Sequence, residues 1–269
     1  MSGHAFDEAI ALTPGSDGSW LGATSPAYAN MVGPFGGITA AQALNAVLRH
    51  PQRLGEPVSL TVNFAAALAD GPFTVQVRPA RTNRSTQHWV VEVLQQGQTV
   101  LTATVFTARR RQTWSATEQA MPAATVPADT PLPAHAGRVE WFNRYEMRFV
   151  EGYFPAAWDG QDHGMSRTRL WVRDAPPRPL DFASLTALSD VFYPRIWRRR
   201  ASPVPIGTVS MTVYFHAGTA QLQATGTGYL FAQAQAQAFH NGYFDQTAQL
   251  WNEAGELLVT THQIVYYKE

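Results

Sequence analysis

The chain has 269 residues and 29.6 kDa, with 45% apolar and 15% charged residues, so a large core is available and disorder is not expected. Lys+Arg and Asp+Glu balance at 20 each and the pI is near 7.1, which removes the footprint of a non-specific nucleic-acid binder. Cysteine is absent, excluding disulfides, thiolate metal sites and a cysteine nucleophile, and the single lysine is Lys268. No basic leader precedes an apolar run, and no stretch nears the roughly 20 apolar residues of a spanning helix, so a cytoplasmic protein is expected.

In chain order, Gly36-Gly37 opens a run with Ile38, Ala41, Leu44 and Leu48 at helical spacing. Four strand-like runs follow, at 58–68, 73–82, 87–95 and 99–108, with turn signals at Asp70-Gly71-Pro72 and Gln96-Gly97-Gln98. Residues 113–137 are rich in Ala, Pro and Thr without apolar periodicity, and read as a linker between domains at 1–112 and 138–269. The second domain predicts a helix through Phe182, Leu185, Leu188 and Phe192, with Asp181 as its N-cap. Strands are then expected at 207–217, 221–228, within 234–252 on either side of His240-Asn241-Gly242, and at 257–267. The Ala-Gln alternation of 232–238 has the period of a half-buried strand. Both helices are apolar around most of their circumference and should be buried.

The halves repeat each other. Val58-Ser59-Leu60-Thr61-Val62-Asn63-Phe64 matches Val209-Ser210-Met211-Thr212-Val213-Tyr214-Phe215 at five of seven positions, 151 residues further on. One helix and a long antiparallel meander, made twice, describe an α+β sheet curled around a central helix.

Gly33-Pro34-Phe35-Gly36-Gly37, Pro57 to Phe64, Leu188-Ser189-Asp190, Thr208 to His216 and Thr261-His262-Gln263 together resemble the type II acyl-CoA thioesterases and related thioesterase-like proteins. The resemblance covers nearly the whole chain apart from the first 25 residues and the linker. It implies a double hotdog fold and hydrolysis of an acyl-CoA thioester without metal or cofactor. The implied centre is an Asp, a Thr and a Gln, standing here at Asp190, Thr208 and Gln263. Where better-known members carry Asp-His-Ser this chain has Ser210-Met211-Thr212, and where they carry Glu-Gly it has Ile264-Val265, so the resemblance bears on fold more than on substrate range.

Such chemistry needs a placed water, a proton acceptor and donors for the oxyanion. Asp190 could take the proton, with Thr208 and Gln263 holding the water, or could attack the carbonyl itself. Backbone amides at Gly36-Gly37 are candidate oxyanion donors. The run Arg195, Arg198, Arg199 and Arg200 reads as a loop in which Arg198 and Arg199 could grip coenzyme A phosphates. On a helical period Asp190 falls on the flank of the apolar stripe, the usual place of a solvated boundary aspartate. The repeat sets Thr208 on Pro57, Gln263 opposite Val105, and Asp190 opposite Gln42 or Asn45, so one centre per chain is expected.

No Gly-x-Ser-x-Gly elbow, zinc spacing or dinucleotide fingerprint is present. His216 and His262 read as structural, and Trp89, Trp251 and Phe239 as candidate plugs of an acyl tunnel. A non-hydrolytic acyl-thioester or lipid binder, and a hydrolase for carrier-protein thioesters, remain alternatives. A homodimer or larger homo-oligomer is expected from the edges hotdog sheets leave.

Overall fold

The structure, a computed structural model, describes residues 3–133 and 139–269, so the last four residues of the expected linker and the first of the second domain lie outside it. The first half contains helix α1 (Ala5–Ala9), short strands β1 (Thr13–Pro14) and β2 (Trp20–Ala23), and helix α2 (Gly36–Leu48). Strands β3 (Glu56–Phe64), β4 (Pro72–Thr82), β5 (Thr86–Gln95) and β6 (Gln98–Ala108) follow. The second half contains β7 (Tyr145–Glu151), β8 (Thr168–Asp174), helices α3 (Phe182–Leu188) and α4 (Arg195–Arg200), and β9 (Ile206–Phe215). It continues with helix α5 (Thr219–Thr225) and strands β10 (Leu230–Gln235), β11 (Phe239–His240), β12 (Tyr243–Asn252) and β13 (Leu257–Tyr267). No helix among the described residues is long and apolar enough to cross a membrane.

The strands form one antiparallel sheet in the order β1-β2-β4-β5-β6-β3-β9-β13-β12-β10-β8-β7, with β11 pairing off β12. Read inward from both ends, that order is a palindrome of equivalent strands: β1 with β7, β2 with β8, β4 with β10, β5 with β12, β6 with β13, β3 with β9. The repeated seven-residue motifs are the two innermost strands. They pair Leu60 with Val213, Thr61 with Thr212 and Val62 with Met211, which puts a pseudo-twofold axis through the Thr61–Thr212 pair. This is a double hotdog, one continuous sheet wrapped around two central helices.

Helix α2 is buried from Gly37 to Val47, and Leu44 and Val47 have no exposed surface. Burial of each such side chain contributes about 1.5–3 kcal/mol. Asp181 caps α3, its Oδ1 accepting from Ser184 N–H at 2.8 Å. The helix is buried although it carries hydroxyls, because Thr186 Oγ1 and Ser189 Oγ each donate to a carbonyl four residues back at 2.7 Å.

Four expectations need correction. Residues 219–225 form a helix, not a strand. Its Gln221 Oε1 accepts from Gly218 N–H at 3.0 Å, the N3-to-cap bond that starts a helix. The arginine run is helix α4 rather than a loop. Helix α3 ends at Leu188, short of Phe192, with Ser189 as its C-cap and its hydroxyl donating back to Leu185 O at 2.7 Å. Strands β7 and β8, unassigned from sequence, complete the palindrome. Residues 119–130 run across the outer face of the second half, where Trp171 Nε1 donates to Thr125 O at 2.7 Å and Trp251 Nε1 to Gln119 O at 3.3 Å.

Candidate active site

Asp190 is the second residue past α3, after the C-cap Ser189, so it lies beyond the helix rather than on its flank. Here the end of α3 meets the start of α2. The contact requires glycine on the α2 side: a Cβ on Gly37 would come within 2.7 Å of Ala187 O, and one on Gly36 within 2.9 Å of Asp190 Oδ2. The Asp190 carboxylate thus faces the positive end of a buried 13-residue helix. Strand β13 closes it from below. Gln263, 3% exposed, donates from Nε2 to Asp190 Oδ1 at 2.7 Å. Burial pushes the Asp190 carboxyl up to about 7, against smaller downward pulls from the Gln263 amide and the backbone N–H of Gly37. A carboxyl so placed can hold or release a proton near neutral pH.

Asp190, Gln263 and Thr208 all border one cavity of about 670 Å³. Thr208 is half-buried on β9, opposite Val265, one strand across from Gln263, and its hydroxyl makes no hydrogen bond to the described residues. The structure therefore couples Asp190 to Gln263 directly and leaves Thr208 bordering the same cavity without a hydrogen bond to either. Both halves build the cavity: Gly36, Phe64 and Leu101 line it from the first, Phe154, Phe192 and Tyr193 from the second. Asp190 is the one Asp, Glu, Lys, Arg or His among the described lining residues.

The arginines go elsewhere. Arg195 is fully buried, donating to Ser166 O and Thr168 Oγ1 at 2.8 Å, so it is a structural tie. Arg199 Nη2 pairs with Asp162 Oδ2 at 2.9 Å, Arg198 Nε has no partner among the described residues, and neither residue lines the cavity. Gly36 lines it and Gly37 does not.

None of the three candidate plugs lines it either. Trp89 Nε1 donates to Thr107 Oγ1 at 3.2 Å, Trp251 sits under the 119–130 segment, and Phe239 packs on Phe244. The aromatic wall comes instead from Phe35 stacked on Trp141, with ring centroids 4.2 Å apart, and Phe154 stacked on Tyr193 at 4.3 Å. His262, next to Gln263 on β13, points to the opposite face and meets Asp245 at 3.4 Å, while His216 bonds Thr260 Oγ1 at 3.0 Å. Two buried polar residues of the cavity were not singled out from sequence: Thr39, whose hydroxyl donates to Phe35 O at 3.3 Å, and Gln246, on β12 opposite Gln263. The signal for Gln246 is phase, because period two places it with Phe244, Ala248 and Leu250.

The positions that the repeat sets opposite Asp190 do structural work. Gln42 Nε2 donates to Ala9 O at 2.7 Å and Ala23 O at 3.2 Å, and Asn45 Nδ2 to Ile10 O at 2.7 Å, holding the N-terminal segment on α2.

Comparison with known proteins agrees with this architecture. Residues 25–108 match the acyl-CoA thioesterase N-terminal domain and residues 118–267 the acyl-CoA thioesterase C-terminal domain. A conserved protein of unknown function with a hot dog fold from Alicyclobacillus acidocaldarius is 46% identical, with TM-score 0.94, covering 100% of this chain and 99% of that one. An acyl-CoA thioesterase II from Mycobacterium marinum has TM-score 0.76 at 19% identity, covering 98% of each chain. A tesB protein from Mycobacterium avium subsp. paratuberculosis has TM-score 0.79 at 19% identity, covering 99% of this chain and 100% of that one. These last two share the fold. No protein of curated function matches the sequence. With both domains matched in order, the chain belongs to the acyl-CoA thioesterase family.

Proposed function

We propose that this protein hydrolyses acyl-CoA thioesters to the free acid and CoA, at one centre per chain formed by Asp190, Gln263 and Thr208. The observation that carries the reading is a half-buried carboxylate held by a glutamine amide at 2.7 Å on the wall of a 670 Å³ cavity, where burial raises its pKa toward neutrality. The chain divides at the 113–137 segment into two repeats, of which the first lends the α2 N-terminus and the second the side chains.

Because Gln263 spends its Nε2 on Asp190, its Oε1 is left to accept from a water. Ionised Asp190 takes that water's other proton as the oxygen attacks the thioester carbonyl, and the Thr208 hydroxyl steadies the water from β9. The oxyanion is met by backbone N–H at the start of α2, where the first amides have no intrahelical partner. Collapse breaks the C–S bond, and the Asp190 proton passes to the thiolate. Water is preferred over direct attack by Asp190 because Gln263 holds one carboxylate oxygen and the helix start faces the other.

The test is thiol release from short, medium and long acyl-CoAs by the wild type and by Asp190→Asn. A loss of about 100-fold or more in a folded variant supports the reading, and wild-type turnover of no acyl-CoA overturns it. A second reading, the same hydrolysis on carrier-protein-bound acyl groups, is favoured by a cavity wall without arginine or lysine among its described residues. It requires acyl-carrier protein to be a better substrate than acyl-CoA.

A further inference from the structure

Five glutamines are buried in this chain, and four are committed to protein partners. Gln42 and Gln95 tie backbone carbonyls, Gln87 bonds Thr82 Oγ1, Gln52 O and Leu54 N–H, and Gln263 holds Asp190. The fifth, Gln246, is 3% exposed, lines the cavity and makes no side-chain hydrogen bond to the described residues. It stands directly opposite Gln263 on the neighbouring strand. Side chains so paired share a face with Cβ atoms about 5 Å apart, which puts the Gln246 side chain beside Gln263 on the wall of the cavity that Asp190 also borders.

A primary amide offers two donors and an acceptor, and leaving it unpaired once an acyl chain covers it is costly. Water can satisfy it in the free enzyme, but an acyl chain filling the cavity displaces that water. A plain hydrocarbon chain then strands the amide, whereas one carrying an oxygen replaces the lost bonds. Resting on the thioesterase reading above, we infer that Gln246 is a specificity-determining residue that selects acyl groups bearing a hydroxyl or carbonyl oxygen near the thioester over unsubstituted acyl groups of equal length.

The experiment compares kcat/KM for hexanoyl-CoA and its β-hydroxy and β-keto derivatives, in the wild type and in Gln246→Met, which conserves side-chain length and volume. The wild type is expected to favour one of the oxygenated substrates by about tenfold or more, the larger ratio distinguishing hydroxyl from carbonyl. Gln246→Met should bring that ratio to near unity. Equal wild-type rates on all three substrates overturn the inference while leaving the hydrolase reading intact, as does a variant that lowers all three in proportion. Hydrolysis of none of them, nor of any other acyl-CoA, overturns the hydrolase reading itself. The wild-type ratio decides the matter even if the variant does not fold.

Discussion

Gln263 on β13 and Asp190, just past the end of α3 and 73 residues earlier, meet amide to carboxylate at 2.7 Å, so the protonation of Asp190 depends on Gln263. Burial raises the Asp190 pKa to about 7 while the Gln263 bond lowers it. Hydrolysis that needs ionised Asp190 should therefore rise with pH through about 7 and level off above. Gln263→Leu removes a downward pull, so its residual activity should rise only at higher pH. A pH–kcat/KM profile of both proteins measures this, and an unmoved limb refutes the coupling.

The same burial carries a stability cost of definite sign. The folded pKa lies above the usual 3.8, so the folded state holds a proton that the unfolded chain releases between about pH 4 and 7. Stability from this group is complete below that window and is lost as pH rises through it. Asp190→Asn should equal the wild type near pH 4 and exceed it at pH 8 by up to roughly 4 kcal/mol, the size of a three-unit shift. Denaturant unfolding at the two pH values tests this.

Gly36→Ala should separate packing from chemistry. The added Cβ would stand 2.9 Å from Asp190 Oδ2 and 3.6 Å from the Phe64 ring, so the carboxylate must give way and strain its bond to Gln263. We expect at least a tenfold fall in kcat/KM with a change in stability under about 2 kcal/mol, read by thiol release and thermal melting.

The 119–130 segment gives a prediction remote from the site. Trp171 and Trp251 each donate an indole N–H to it, and Arg148 Nη1 donates to Thr130 O at 2.8 Å. Trp171→Phe and Trp251→Phe keep an aromatic ring and lose one bond each, about 1 kcal/mol apiece. Limited proteolysis should cut this segment faster in the double variant, with turnover retained.

What was legible in the sequence follows from where the physics is local. Helix α2 and strands β3 to β6 stand within two residues of their predicted starts because periodicity and turn residues mark them, although β3 ends four residues before its predicted end. The seven-residue repeat marks β3 and β9 as equivalent strands, while their pairing with each other is a finding of the structure. Helix α5 was misread because Gln-Leu-Gln alternates like a strand over so short a span, and only Leu222 is buried to set the phase. Strands β7 and β8 are joined by a long connection through Asp159-Gly160 rather than a tight turn, and they are held by long-range pairing, β8 with distant β10 and β7 with β8. Asp190 and Gln263 were picked out by family resemblance, since neither stands out by pattern. Gln246 was passed over because a glutamine in an alternating strand reads as an outward-facing residue. Trp251 was expected inside the cavity, but its strand position turns it to the outer face under the 119–130 segment.

The Thr61–Thr212 pair, hydroxyls 3.1 Å apart on the pseudo-twofold axis, has an evolutionary consequence. In a dimer of identical subunits every inherited change appears at both symmetry-related places, so two centres must be kept or lost together. Covalent duplication lifts that constraint. Here one copy has turned the equivalent place into a clamp, through Gln42 and Asn45, while the other holds a half-buried carboxyl. Descendants of such a fusion can retool one copy without disturbing its twin, and the axis here relates two halves whose equivalent positions carry different side chains with different partners.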